Sequence, residues 1–326
     1  MTTAFAPDSR YAWFRLGISL VLAIVGGIGL WLAVVVIPTI QQEFGIDRAG
    51  ASLPYTVTFI GFALGGFTMG KVADRFGIIV PVSIAAVALG AGFVLAALSQ
   101  TYWQLLVVQA VMIGFAGSAA TFGPLVADVS QWFLRRRGIA VAIVASGNYI
   151  AGTIWPPFMQ SAIATYGWRA TYIAIGIICV VVMLPLAQLL RRRPHFDDSA
   201  SPASQTSGRK GLLPSHPLLY PALVLAGLAC CVAMSMPQVH IVAYCADLGY
   251  GPARGAEMLS MMLGFGVISR LASGFIADRI GGLASLIAGS FLQMLALILY
   301  IPFDGLVSLY VVSALFGLSQ GGIVPS

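Results

Sequence analysis

The sequence is poor in charge. Of its 326 residues, 9% are Asp, Glu, Lys or Arg, where a soluble domain carries about a quarter. With 59% hydrophobic residues and a mean hydropathy of +0.93, this shortage excludes a soluble enzyme, a nucleic-acid-binding domain and a secreted disulfide module. Histidine is scarcer still, at three residues. His195 and His216 lie in or beside a polar stretch, so no nucleophile, base or metal-ligand cluster forms. Neither enzymatic chemistry nor a metal or cofactor is expected. The four cysteines, Cys179, Cys230, Cys231 and Cys245, fall in apolar stretches without Cys-x-x-Cys spacing and read as buried structural thiols. No Ala-x-Ala-type cleavage site follows the first apolar run, which is too long for a signal-peptide core and reads as an uncleaved helix.

What the sequence has instead is long apolar runs. No charged residue occurs between Arg15 and Glu43, nor in 49–70, 76–127, 138–168, 170–190, 211–246, 280–303 or 305–326. A further stretch, 258–277, is broken only by Arg270. A membrane-spanning helix needs about 20 mostly apolar residues. Each run holds one, and 76–127 holds two around the polar break Ser99-Gln100-Thr101-Tyr102. Ten spans are predicted, near 16–40, 51–70, 78–98, 103–127, 138–160, 168–190, 217–245, 256–277, 283–302 and 306–326.

The net charge of +6 would suggest a polyanionic partner in a soluble protein. Here it follows the rule that basic residues stay on the cytoplasmic side. With the N-terminus inside, thirteen Lys and Arg residues fall in cytoplasmic segments and three, Arg48, Arg169 and Arg254, fall outside. The expectation is a multi-pass integral membrane protein of a bacterial inner membrane with a cytoplasmic N-terminus. Its partners are the lipid bilayer and a small-molecule substrate; no nucleic acid or protein partner is implied. From Arg191 to Ser215 the chain is rich in Arg, Asp, Ser and Pro, cannot bury a core, and reads as a disordered cytoplasmic linker. It divides the chain into 1–190, a six-helix bundle, and 216–326, four helices of a second bundle.

An internal repeat gives the organisation. Gly70-Lys71-Val72-Ala73-Asp74-Arg75-Phe76-Gly77 joins the second and third predicted helices. Gly274-Phe275-Ile276-Ala277-Asp278-Arg279-Ile280-Gly281 joins the eighth and ninth, 204 residues on, with five of eight positions identical. Two copies in register within a hydropathic repeat indicate two parallel six-helix halves. On that spacing the counterparts of the fifth and sixth helices fall near 342–394, past the last residue, so the chain reads as a fragment lacking helices 11 and 12. The residue types suit a conformational gate at the membrane rim: glycines for close packing and a tight turn, Asp74 to cap the third helix and accept from Arg75.

In these motifs the chain resembles the major facilitator superfamily, whose signature between helices 2 and 3 is Gly-x-x-x-Asp-Arg-x-Gly. The resemblance spans the whole chain and implies an all-α, two-bundle membrane fold of six plus six helices. It assigns Gly70, Asp74, Arg75 and Gly77, with Gly274, Asp278, Arg279 and Gly281, to a motif that latches the halves in one state. Trp132 to Ala140, with Ser146-Gly147-Asn148, is similar to the helix 4–5 segment of the monocarboxylate and oxalate/formate antiporter-like branch. His240, Tyr244, Asp247 and Arg270-x-x-Ser273-Gly274 point the same way. Thr39 and Gly266 stand where the animal proton-coupled members carry Lys and Asp, and Gly26-Gly27 stands where they have an acidic residue and Gly; this departs from their coupling mechanism.

Arg270 is the one charge inside a predicted span. An Arg at a helix centre costs about 2.5–3.5 kcal/mol to insert and needs a partner or a function. Gly266, Ser273 and Gly274, at i−4, i+3 and i+4, line its side of the helix and leave room for a small ligand or for close packing. The resemblance implies that Arg270 binds a substrate carboxylate, and the planar fork of Arg suits that task; backbone carbonyls are the structural alternative. His240, Tyr244 and Asn148 complete the expected substrate-binding set. His240 is equally compatible with a plain buried histidine, and Asn148 with an interhelical hydrogen bond. The sequence thus points to a secondary transporter of a small organic mono- or dicarboxylate working by alternating access. A drug or hydrophobic-compound exporter and a transport-dead sensor on the same fold are the alternatives.

Overall fold

The computed structural model describes residues 8–133, 136–191, 219–280 and 282–320. Apart from Arg191, the expected 191–215 linker lies outside them, as does Gly281. The described chain forms ten long helical units, close to those read from the charge-free runs. The first, α1, runs Arg10–Gly26 and continues through Ile28–Val35 and Ile37–Phe44. Then follow α2 (Arg48–Phe76), α3 (Ile79–Leu98), α4 (Tyr102–Trp132), α5 (Arg137–Ala145, resumed at Gly147–Tyr166) and α6 (Trp168–Leu189). The last four are α7 (Leu219–Asp247), α8 (Pro252–Ile280), α9 (Gly282–Ile298) and α10 (Leu306–Gln320). Among the described residues, six of these units, α1 to α6, are each long and apolar enough to cross a membrane.

Local chemistry sets the boundaries. Ser9 caps α1 by accepting from the Ala12 N–H at 3.3 Å, and Asp47 caps α2 by accepting from Gly50 at 2.8 Å; each meets an amide that the first helical turn leaves without a partner. Thr101 and Gln104 form a reciprocal capping box at the start of α4. Gly77 ends α2 with φ 85°, a conformation open to glycine and strained for other residues. α4 is irregular: its middle takes π-helical bonding over Gln109–Gly117 and a 3-10 turn over Ser118–Thr121.

Backbone packing explains part of α4's course. A Cβ on Gly61 or Gly65 of α2 would collide with the carbonyl oxygens of Ala110 and Phe115, and one on Gly114 of α4 would collide with that of Thr58. The two helices therefore meet backbone to backbone, a small-residue contact favoured where lipid supplies no hydrophobic drive. The core of the first six helices includes Leu16, Phe93, Trp132 and Tyr172. A second buried cluster draws Trp31 and Ile37 of α1, Tyr55 of α2 and Tyr149 of α5 together with Val239, Ile241 and Val242 of α7, Leu259 and Leu263 of α8, and Leu309 of α10. It joins the first six helices to the last four, and most of its members lie toward the end that carries Glu43 and Asp247, here the distal end. The end that carries Arg10 and Asp74 is the basal end.

Candidate functional site

Arg270 is 9% exposed and crosses from α8 to α5. Its Nη1 donates to the Ala145 carbonyl at 3.2 Å, beside the interruption of α5 at Ser146. Its guanidinium lies 4.3 Å from the Tyr149 ring centroid, a cation–π contact that offsets some of the desolvation. Its Nε is buried and has no hydrogen-bond partner among the described residues. One donor is thus held by protein while another is unmet, which for a buried charge is an unfavourable state in the absence of a ligand.

The space expected beside Arg270 is partly filled. A Cβ on Gly266 would come within 2.6 Å of Gln320 Nε2 and 2.8 Å of the Tyr149 ring, so the glycine serves close packing. Gln238 of α7 donates to Gln320 at 2.6 Å, and Gln320 donates to the Met262 carbonyl at 3.2 Å. Gln320 and Tyr149 both crowd the same face of Gly266, and the sequence reading did not single out these buried amides of α7 and α10. The side chains of Ser273, Asp278 and Arg279 lie outside what is described; Ser273, Gly274, Asp278 and Arg279 fall in the last turns of α8. Asn148 is engaged: its carbonyl and Oδ1 both accept from Trp31 Nε1, at 2.9 and 3.2 Å. It pins α5 to α1, the interhelical role open to it from the sequence, one residue from the Arg270 site.

His240 and Tyr244 do not join Arg270. With Met236, Arg48, Leu297 and Tyr300 they line a separate cavity of ≈ 470 Å³ between α7 and α9. The repeat explains its shape. Shifted back by 204, Met236, His240 and Tyr244 fall on Leu32, Val36 and Ile40, and Leu297, Tyr300 and Ile301 fall on Phe93, Ala96 and Ala97. All six counterparts are buried in the core that Trp168 and Tyr172 of α6 complete. By the sequence repeat, the residues lining this cavity correspond to residues that pack in the same core as α6. At its rim Arg48 of α2 pairs with Asp247 of α7 at 2.6 Å, an ion pair between the first six helices and the last four. A second distal tie stays within the first six: Arg169 donates to Glu43 at 2.6 Å and to the Ser99 carbonyl at 2.8 Å, while Trp168 Nε1 donates to Glu43.

At the basal end the repeat motif differs from expectation. Asp74 neither caps α3 nor pairs with Arg75. α2 extends to Phe76, so Asp74 sits in its last turn, and Ile78 takes the N-cap position without a side-chain bond. Arg75 lies over the Phe76 ring at 5.3 Å. Asp74 and Gly77 instead line a ≈ 390 Å³ cavity with Arg15, Asp128 and Arg191. Beside it is a feature absent from the sequence reading, which held Arg270 to be the one charge inside a span. Arg15, 2% exposed in α1, is a second buried cation, and it donates from Nε and Nη2 to both oxygens of Asp128 at 2.8 Å. It also donates to the Leu190 carbonyl at 3.0 Å and lies 4.8 Å from the Trp132 ring centroid. One side chain ties the basal ends of α1, α4 and α6. Cys231 also departs from expectation: it is exposed, whereas Cys179 and Cys245 are buried.

Ten apolar helices in a twofold sequence repeat, with one buried, incompletely satisfied Arg bridging the two parts, define a multi-pass membrane protein of the two-bundle kind. The chain belongs to the Major Facilitator Superfamily, whose profile matches residues 19–326. Among curated proteins it is 28% identical to the MFS-type transporter pynF of Aspergillus niger, over 80% of this chain and 59% of that protein. It is 25% identical to the agnestins efflux protein AgnL12 of Paecilomyces divaricatus, over 87% of this chain and 64% of that one. The chain thus spans about six tenths of the length of the curated relatives it matches. A bacterial homologue of the human lysosomal transporter Spinster, solved in an inward-facing and occupied conformation, shares the fold with a TM-score of 0.68 at 18% identity, covering 97% of this chain and 74% of that one.

Proposed function

We propose that the protein is a secondary transporter that moves a small organic carboxylate across the membrane by alternating access of two helix bundles, 1–190 and the bundle beginning at 216. The observation that carries this reading is the unmet Nε of Arg270. With Nη1 held by Ala145, the side of the guanidinium that includes Nε is left for a ligand, and two parallel N–H donors match one carboxylate. Clustering of the bundle-to-bundle contacts toward the distal end supports a state closed there and open at the basal end. The asymmetry of basic residues supports a cytoplasmic basal end, which an impermeant thiol reagent tests: it should label a cysteine placed at Asp304 in intact cells and spare one at Ser204. In the transport cycle, the Asp74 and Asp278 motifs act at the rim in switching between states.

The test is ligand binding by calorimetry on the purified, monodisperse protein. Arg270→Ala should abolish carboxylate binding, and Arg270→Lys should retain part of it, keeping the charge but losing the fork. Wild-type affinity in a well-folded Arg270→Ala protein would remove the anion reading. A second reading, export of a hydrophobic compound, draws on the relative that is named an efflux protein; it requires transport that is indifferent to Arg270.

A further inference from the structure

The face of α2 nearest the Arg270 site is aromatic. Tyr149, on whose ring Arg270 lies, shares a buried cluster with Tyr55. From Tyr55 a row of tilted rings continues to Phe59 (centroids 4.5 Å), Phe62 (6.0 Å) and Phe122 of α4 (6.2 Å). Tyr55 is buried, but the three phenylalanines are only half-buried, so each has part of its ring uncovered. After Phe122 the next residue, Gly123, lines a ≈ 530 Å³ cavity between α4 and α5, with Val126, Ser130, Gly138 and Val141.

Helical geometry separates this row from the other faces of α2. At about 100° per residue, positions 55, 59 and 62 fall on one side. Gly61 and Gly65, which meet α4, fall on another. Leu53, Ile60, Leu64 and Phe67, 39–76% exposed, form the third, as expected of a surface facing hydrocarbon. The aromatic row is therefore neither the α4 seam nor the outermost apolar face. Phe59 packs against the cluster joining the two groups of helices, and Phe62 against the core of the first six.

We infer that the carboxylate taken by this site is aromatic, its anionic group on Arg270 and its ring on the row formed by Tyr55, Phe59, Phe62 and Phe122. This rests on the assignment of Arg270 as the anion-binding residue. Tilted aromatic contacts prefer the edge and face of another arene to a saturated ring, a preference of about three- to tenfold. A short aliphatic acid would satisfy Arg270 and leave the rings unused.

Benzoate, cyclohexanecarboxylate and acetate separate the possibilities, because all three carry the same anion and the first two have six-membered rings. In competition binding to the purified protein in liposomes, benzoate should bind at least threefold more tightly than cyclohexanecarboxylate. The double variant Phe59→Leu/Phe62→Leu should lose that preference while acetate affinity stays within about twofold, which also reports that the protein is folded. Phe67→Leu, on the outermost face, should keep the preference. Equal affinity for the two ring acids in the wild type, or a preference that survives the double variant, would overturn the inference and leave Arg270 as a general carboxylate site. Absence of binding by all three acids, or binding unaffected by Arg270→Ala, overturns the carboxylate reading itself.

Discussion

Removing Asp128 while leaving Arg15 in place should damage the protein far more than removing both. In the native fold the Arg15 guanidinium has two hydrogen bonds to Asp128 at 2.8 Å, one to the Leu190 carbonyl at 3.0 Å, and the Trp132 ring at 4.8 Å. Its side chain is 2% exposed and that of Asp128 10%, so solvent replaces the lost partner poorly. Asp128→Leu leaves a buried cation without its carboxylate, and breaking a buried pair in this way costs about 3–5 kcal/mol. Arg15→Met strands the carboxylate, with a cost of the same order but smaller, since Asp128 is the more exposed member. The double variant, Arg15→Met with Asp128→Leu, strands no charge. It loses the Leu190 hydrogen bond, worth about 1 kcal/mol, and the cation–π contact, worth about 0.5–2 kcal/mol. It should therefore be more stable than Asp128→Leu alone, with a coupling of at least about 2 kcal/mol between the two sites. Reversible unfolding in mixed micelles, followed by helicity, supplies the four free energies. Additive effects, or single variants within about 0.5 kcal/mol of the wild type, would refute the claim that this pair acts as one buried unit.

Two further outcomes follow from packing and from the distal ion pair. Gly61→Ala drives a methyl group into the Ala110 carbonyl and should cost at least about 1–3 kcal/mol in the same unfolding assay; Gly66→Ala, where nothing lies within 4 Å, should be neutral or slightly stabilising, and equal effects at both positions would contradict the seam. The Arg48–Asp247 pair is partly exposed, 34% and 60%, so it contributes about 0.2–1 kcal/mol; Arg48→Asp should shift the population toward a distally open form, read by spin labels at Ser52 and Ala253, and adding Asp247→Arg should restore it. Failure of the swap to restore the distribution would show that the pair does not hold the distal ends together.

Much of the helical layout was legible in the sequence because charge is excluded from the apolar spans, so gaps between charged residues mark helices almost directly. Some ends carry a local mark in the sequence, the polar break at Thr101 and the glycine Gly77, whereas the cap at Asp47 was not singled out and the one expected at Asp74 does not form. Contacts made across the fold were not legible. Arg15 and Asp128 lie 113 residues apart, and each sits at the edge of its apolar run, where a charge passes for a solvated end. The sequence identified Arg270 as a buried charge in need of a partner but could not say that Ala145 supplies one, because that carbonyl becomes available only where α5 is interrupted. His240 and Tyr244 share a helix face with Met236, yet the face turns toward α9 and away from Arg270. That assignment depended on how α7 is rotated, which periodicity does not encode. Gln238 and Gln320 gave no signal, since a lone Gln in an apolar run has no motif around it.

The seam between α2 and α4 bears on which parts of the molecule move relative to each other. Where side chains interdigitate, two helices can slide by exchanging rotamers, and each intermediate position remains packed. At Gly61, Gly65 and Gly114 there are no rotamers to exchange, and any displacement along the seam brings Cα and carbonyl groups over one another. α2 and α4 are therefore coupled as a single stiff lever, and whatever displaces one displaces the other by the same amount. The contact between α5 and α8 is different in kind, because Arg270, Tyr149, Leu263 and Trp31 meet there through side chains. A change in tilt between the two groups of helices would be accommodated at that contact, next to the Arg270 guanidinium and its unmet Nε. On the proposed assignment of Arg270 to the ligand, the bearing and the ligand site would occupy the same place, and the α2–α4 lever would carry the resulting motion toward both ends of the membrane.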